Sequence, residues 1–230
     1  MESVAASPAL EEELERIQTR ILERISALEQ SLTGKLTDSP AVAPSSSCDT
    51  VSMLSDILRM NGARDFRFAR VPGDYYDRPL EERRRILGAD SVDHLCKSIV
   101  MVNTQAPPNI TDCSDRNNSK YYVIVVQYTA RLNAEALKAY LYSLNDGKIP
   151  KKKFNLRLAP EETSFALTGF EHNAVTCVGM KTDIPVILDE AIVKLHPDFF
   201  WLGGGETDLK LGIRTSEFID FARPFIVSCS

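Results

Sequence analysis

The sequence predicts a mixed α/β domain built on a central, partly antiparallel sheet flanked by helices and preceded by an N-terminal amphipathic helix. Three observations carry this reading. Within residues 49–230, apolar β-branched runs alternate with segments of helical period, with no clean strand–helix–strand repeat and no internal repeat. Ahead of them, residues 37–48 hold two prolines and a serine cluster, the composition of a linker. Ahead of that, residues 10–32 carry an apolar stripe at helical spacing.

The stripe consists of Leu10, Leu14, Ile17, Ile21, Ile25, Leu28 and Leu32, with glutamates and arginines on the other faces. Its mean spacing, about 3.7 residues, is closer to a straight helix than to the 3.5 of a long coiled coil. Residues 1–36 therefore read as one amphipathic helix, either docked on its own domain or paired with another chain. A lone helix of that length is marginal in water, which favours a partner. The following 49–230 stretch is ample for one sizeable core.

Within that domain the strands announce themselves by composition. Ser98-Ile99-Val100-Met101-Val102-Asn103 and Tyr121-Tyr122-Val123-Ile124-Val125-Val126-Gln127-Tyr128 read as buried strands, separated by a polar loop rich in proline, asparagine and aspartate. Pro185-Val186-Ile187-Leu188 and Phe199-Phe200-Trp201-Leu202 are shorter ones. Leu209, Leu211 and Ile213 define one face of another. Helices are marked by their ends. Asn133 caps a helix bearing Leu137, Tyr140, Leu141 and Leu144, with Gly147 beyond it. Pro160-Glu161-Glu162 starts a second, stopped by Gly169. Thr215 or Ser216 starts a last one, stopped by Pro224.

Composition narrows the function class. The 230 residues are 43% hydrophobic and 26% charged with net charge −5, which fits a globular chain and excludes fibrous or disordered ones. Residues 1–40 hold eight acids and four bases, so the remainder is close to neutral and the whole-chain charge says little about whether it meets a polyanion. No stretch is long and apolar enough to span a bilayer, and the start lacks the basic-then-apolar pattern of a leader. The expectation is a cytoplasmic chain with no membrane partner. Five cysteines without a Cys-x-x-Cys pair, and three scattered histidines, predict free thiols, no metal site and no cofactor.

Three places could hold chemistry. Lys97 follows an apolar helical stretch (Val92, Leu95, Cys96) and opens the strand at 98–103. Residues 168–179 form a loop of small and polar residues between Gly169 and Gly179, suited to close approach of backbone to a ligand. His172 and Cys177 lie in it, but five residues apart they have no special geometry for a thiol nucleophile and its base. Gly203-Gly204-Gly205 follows a strand and reads as a hairpin-like turn rather than a phosphate-binding loop. Two basic clusters, Lys148 with Lys151, Lys152 and Lys153, and Arg83-Arg84-Arg85, are candidates for tracking a phosphate backbone.

Taken together and in order, these features resemble the YbaK/prolyl-tRNA-synthetase-associated domain family of trans-acting aminoacyl-tRNA deacylases. The match rests on Leu87-Gly88 followed by Lys97-Ser98, on Thr168-Gly169-Phe170, on Ile184-Pro185-Val186-Ile187-Leu188-Asp189, and on Gly204-Gly205 followed by Leu209, Leu211 and Ile213. It spans roughly residues 50–222, and the collinearity of the motifs carries it. The resemblance implies hydrolysis of the ester joining a wrong amino acid to the 3′-terminal adenosine of tRNA. It implies that Lys97 and Thr176 are catalytic and that the substrate meets Gly169, Phe170, His172, Asn173, Ala174, Val175, Gly204 and Gly205. Lys97 would orient the terminal nucleotide, and backbone N–H groups from Asn173 to Thr176 would hold the aminoacyl carbonyl and the attacking water. Lys148, Lys151, Lys152 and Lys153 would meet tRNA, and residues 10–32 would meet a synthetase or a second copy of the chain.

Where the family loop reads Gly-Gly-x-Ser/Thr-Pro, this chain has Asn173-Ala174-Val175-Thr176-Cys177. Asn173 tolerates a left-handed φ better than most residues, Ala174 still permits close approach, and Cys177 does not fix φ as proline would. The same residues leave open a catalytically silent module that binds tRNA or a synthetase through its N-terminal helix.

Overall fold

In the computed structural model, residues 49–230 are described. The expected helix at 1–36 and linker at 37–48 lie outside them.

The described chain opens with α1 (Thr50–Met60), whose apolar side buries Leu54 and Leu58. Strand β1 (Phe66–Arg70) follows, then a 3₁₀ turn at Tyr75–Asp77 and α2 (Leu80–Leu87). Gly88 ends α2 at φ 60°, a left-handed position that glycine takes without a Cβ penalty. Next come β2 (Cys96–Asn103), β3 (Tyr121–Gln127) and α3 (Ala134–Leu144). The Asn133 side chain caps α3 as its sequence position predicts, accepting from the N–H groups of Glu135 and Ala136. The remaining elements are β4 (Leu156–Leu158), α4 (Glu161–Thr168), β5 (Val186–Asp189), α5 (Glu190–Val193), β6 (Phe200–Gly203), β7 (Leu209–Ile213), α6 (Thr215–Ala222) and β8 (Phe225–Val227).

The mixed, partly antiparallel central sheet expected from sequence is present, and a second, smaller sheet accompanies it. A five-stranded mixed sheet has the order β4-β2-β3-β5-β8, and a three-stranded antiparallel sheet the order β1-β7-β6. In the first, β2 pairs antiparallel with both β4 and β3, whereas β3–β5 and β5–β8 are parallel. An isolated parallel bridge from Leu95 to Trp201 joins the start of β2 to β6. The main core lies against both sheets and includes Val123, Val125, Leu188, Phe200, Leu211 and Phe218.

One local reading changes with the structure. The helical stretch expected before Lys97 is a single 3₁₀ turn, Val92–His94, and the strand already begins at Cys96. Lys97 is therefore inside β2, opposite Val126, rather than at a helix-to-strand junction. The last helix starts at Thr215, as its sequence predicts. Glu217 in its first turn accepts from the N–H groups of Arg64 and Asp65, tying α6 to the entry of β1.

Candidate active site

The motif Thr168-Gly169-Phe170 is a helix terminus with a purpose. Thr168 Oγ1 donates to the Ser164 carbonyl at 2.8 Å and accepts from the Phe170 N–H at 3.1 Å. Gly169 takes φ 81° and ends α4. The chain reverses there, and the buried Phe170 ring packs into the main core beside Gly205. Asp189, the last residue of another motif, caps α5 through the Ala191 N–H. Both motifs thus fix backbone geometry around the loop between them.

That loop is held at consecutive peptide groups. The Asn173 carbonyl accepts from the Tyr76 hydroxyl at 2.7 Å, and the Ala174 N–H donates to the Glu171 carbonyl at 3.0 Å. The Ala174 carbonyl accepts from the Gly205 N–H at 3.0 Å. In a trans peptide the N–H points opposite to the C=O, so this bond turns the Val175 N–H away from the β6–β7 turn. Among the described residues, the Val175 and Thr176 N–H groups meet no backbone acceptor. Asn173 takes φ 64°, the left-handed conformation its residue type tolerates. Asn173→Gly is expected to keep both fold and loop, whereas Asn173→Val should cost about 1–2 kcal/mol from Cβ strain. Thermal unfolding of the two variants checks this.

These elements enclose a cavity of about 390 Å³, within the roughly 300–1,000 Å³ common for small-molecule sites. Lys97, Phe170, His172, Asn173 and Val175 line it, so five residues singled out from sequence meet at one place. Gly169, Ala174, Thr176, Gly204 and Gly205 are absent from its lining and build the wall behind it. Thr176, expected to be catalytic, is fully buried, and its Oγ1 accepts from the Val178 N–H at 3.4 Å. Gly204 and Gly205 act through backbone: Gly204 N–H donates to the Leu209 carbonyl, and Gly205 holds the loop as described.

The expected lysine run is absent from the cavity lining and lies away from Lys97. Lys151–Lys153 form a 3₁₀ turn beside the far end of β2, where Asn103 Nδ2 donates to the Lys153 carbonyl at 2.9 Å. Asn103 is six residues along the strand from Lys97, about 20 Å at the usual rise.

The thiol alternative finds no support in the geometry. Cys177 is buried, burial pushes its thiol up to about 12, and Ser98 Oγ is its polar neighbour at 4.0 Å. A thiol at that value is protonated at neutral pH and is a poor nucleophile. Cys177→Ala is accordingly expected to keep the hydrolytic rate within about twofold, and iodoacetamide should leave the native thiol unmodified. Cys96, Cys113 and Cys229 are likewise free and buried.

Sequence reasoning missed two cavity residues. Lys210, the second residue of β7, is only 4% exposed. Its Nζ donates to the Tyr76 hydroxyl at 2.6 Å and to the Thr207 carbonyl at 2.8 Å. Burial lowers its ammonium group to about 8, with Asp208 opposing that shift and Arg83 adding to it. Tyr76 itself is pushed well above its ordinary value, chiefly by burial, and keeps its proton. The Arg83 guanidinium stacks near Tyr75, Tyr76 and Tyr128, 5.5–5.6 Å from each ring, and donates to the Tyr76 and Arg78 carbonyls. Lys97 Nζ lies 5.7 Å from the Tyr128 ring centroid. Arg83, read from sequence as part of a phosphate-tracking cluster, therefore packs a tyrosine wall of the cavity.

Lysine cations and aromatic rings thus line a pocket beside a loop in which, among the described residues, the Val175 and Thr176 N–H groups meet no backbone acceptor. A family model described as the aminoacyl-tRNA editing domain matches residues 85–221, and the chain belongs to that family. Its fold is similar to a crystal structure described provisionally as a trans-editing enzyme for prolyl tRNA synthetase, with TM-score 0.60 and 19% identity over 83% of this chain and 99% of that one. It is also similar to a scaffold protein used for computational epitope grafting, with TM-score 0.58 and 18% identity over 79% and 97% of the two chains. A hypothetical protein gives TM-score 0.55 and 18% identity over 78% and 99%. Among curated proteins, none matches the chain. No helix among the described residues is long and apolar enough to cross a membrane.

Proposed function

We propose that the chain is a trans-acting aminoacyl-tRNA deacylase that releases a wrongly attached amino acid from the 3′-terminal adenosine of tRNA. The observation that supports this reading is that Lys97, Asn173 and Val175 line one cavity, next to Val175 and Thr176 N–H groups that meet no backbone acceptor, in a member of the editing-domain family. In this mechanism Lys97 fixes the phosphate of the terminal nucleotide. The Val175 and Thr176 N–H groups stabilise the oxyanion that forms when water adds to the ester carbonyl. The bond to the ribose oxygen then breaks. The water oxygen ends in the carboxyl group of the free amino acid, and one of its protons ends on the ribose hydroxyl.

Such a site needs no side-chain nucleophile, which agrees with a buried, protonated Cys177. The tyrosine wall offers rings on which the terminal adenine can stack. Small amino acids, namely Ala, Ser, Thr and Cys, are the substrate range, because synthetase pockets discriminate poorly between small isosteres. The lysine run at 151–153, beside the end of β2 remote from Lys97, would meet the tRNA body rather than its 3′ end.

The test is a deacylation panel in which purified protein meets tRNAs charged with Ala, Ser, Thr, Cys and Pro. Release of one or two of these above the spontaneous rate is the expected result. A folded protein that releases none, yet retains charged tRNA on a filter, would instead identify a silent binding module. The observation behind that second reading is the replacement of the family's loop glycines by Asn173 and Ala174.

A further inference from the structure

Three candidates outside the assigned chemistry stand out: the buried Asp189 carboxylate beside Cys96 and Cys229, the exposed Arg67 between Phe199 and Trp201, and the buried Lys210. Asp189 already caps α5 and lies away from the cavity. Arg67 stacks on two rings with no ligand indicated. Lys210 differs because it begins a continuous chain of hydrogen bonds that ends on the loop.

The chain runs Lys210 Nζ to Tyr76 hydroxyl at 2.6 Å, then Tyr76 hydroxyl to Asn173 carbonyl at 2.7 Å. We propose that Lys210 is a positioning residue that, through Tyr76, holds the 173–176 backbone where its free N–H groups can meet the substrate carbonyl. This rests on the deacylase reading above for its consequence, but the positioning itself can be observed without turnover.

Direction is what makes the chain selective. An ammonium group has only protons to offer, so it must donate to the Tyr76 oxygen. The single phenolic proton is then free for the Asn173 carbonyl. A neutral amine has a lone pair that competes for that same proton, which weakens the loop's tie. Burial at 4% exposure brings this change near neutral pH, since the amine loses its charge at about 8. Opposite Gly203 in the β6–β7 register, Lys210 also lies behind the point where the loop touches the sheet. The charged and titratable groups around it are Asp208 from the turn, Arg83 from α2, and Tyr75 and Tyr76 from the 3₁₀ turn. The Tyr128 hydroxyl is a hydrogen-bonding neighbour of the Tyr76 hydroxyl and competes for its proton, and Lys97, Glu161 and His172 also line the shared cavity. Among these, Tyr76 alone bonds to both the amine and the loop.

The experiment compares wild type, Lys210→Met, Tyr76→Phe and the double variant. Two readouts are taken: hydrogen exchange at the amides of residues 173–176 in the free protein, and deacylation of whichever charged tRNA the wild type releases fastest. Each single variant is expected to speed loop exchange and to lower kcat by about tenfold, with KM little changed, and the double variant to lose no more than either single one. The wild-type kcat should fall as pH rises through about 8, and Tyr76→Phe should lack that limb. Tyr76→Phe keeps the ring and isolates the hydroxyl, so it remains informative if Lys210→Met misfolds. Unchanged loop exchange in Tyr76→Phe, or losses that multiply in the double variant, would overturn the proposal. If wild type releases no amino acid while both variants loosen the loop, the deacylase reading fails and the positioning role stands.

Discussion

Lys97→Ala is expected to slow deacylation by about 100-fold or more, the size of loss that follows removal of one electrostatic contact in a preorganised site. The prediction rests on where the side chain starts. Lys97 is the second residue of β2, between β3 and the tyrosine wall, and its backbone pairing to Val126 survives truncation. The cation–π contact to Tyr128 at 5.7 Å contributes about 0.5–1 kcal/mol, so stability should fall only slightly. Lys97→Arg should recover part of the rate, because the charge is kept while the geometry changes. Single-turnover release of amino acid, with thermal unfolding as control, separates loss of chemistry from loss of fold. A Lys97→Ala protein as fast as wild type would remove the lysine from the mechanism.

Gly203→Ala should do comparable damage for a different reason. A Cβ built at Gly203 would lie 2.2 Å from the Val175 carbonyl oxygen and 3.2 Å from that of Ala174. Neither atom belongs to a flexible side chain, so the loop backbone itself must retreat. Overpacking of this kind costs about 1–3 kcal/mol, and displacement of about 1 Å at a reacting centre can cost about 100-fold in rate. For a domain of this size the expected drop in Tm is about 5 °C. Gly73→Ala is the matched control, because its Cβ would meet nothing within 4 Å. If Gly203→Ala kept full activity, the 173–176 backbone could not be the oxyanion donor.

Much of the scaffold was legible in the chain. The β2 and β3 runs, the Asn133 cap and the Gly169 terminus are local: β-branched composition, a side-chain oxygen facing orphan N–H groups, and a left-handed glycine each act within a few residues. The motifs around Lys97 and the 173–176 loop were legible for the same reason, as were five of the residues that line the cavity. The short β4 and β8, three residues each, carry too little pattern to be read, and the split into two sheets depends on long-range pairing.

Lys210 marks the boundary between the two kinds of information. In Leu209-Lys210-Leu211-Gly212-Ile213 the alternation places the lysine on the polar, solvent-facing side of a strand. The folded chain buries all five residues, because the Tyr75–Asp77 turn brings its aromatic rings over that face. Lys210 and Tyr76 are 134 residues apart, and Tyr76 and Asn173 are 97 apart. The sequence by itself determined the longer strands β2 and β3, the Asn133 cap, the Gly169 terminus and the family motifs, since these depend on near neighbours. The tertiary structure alone decided that Thr176 turns inward, that Arg83 packs tyrosines, and that a lysine is desolvated against the cavity, since burial is a property of what distant segments cover.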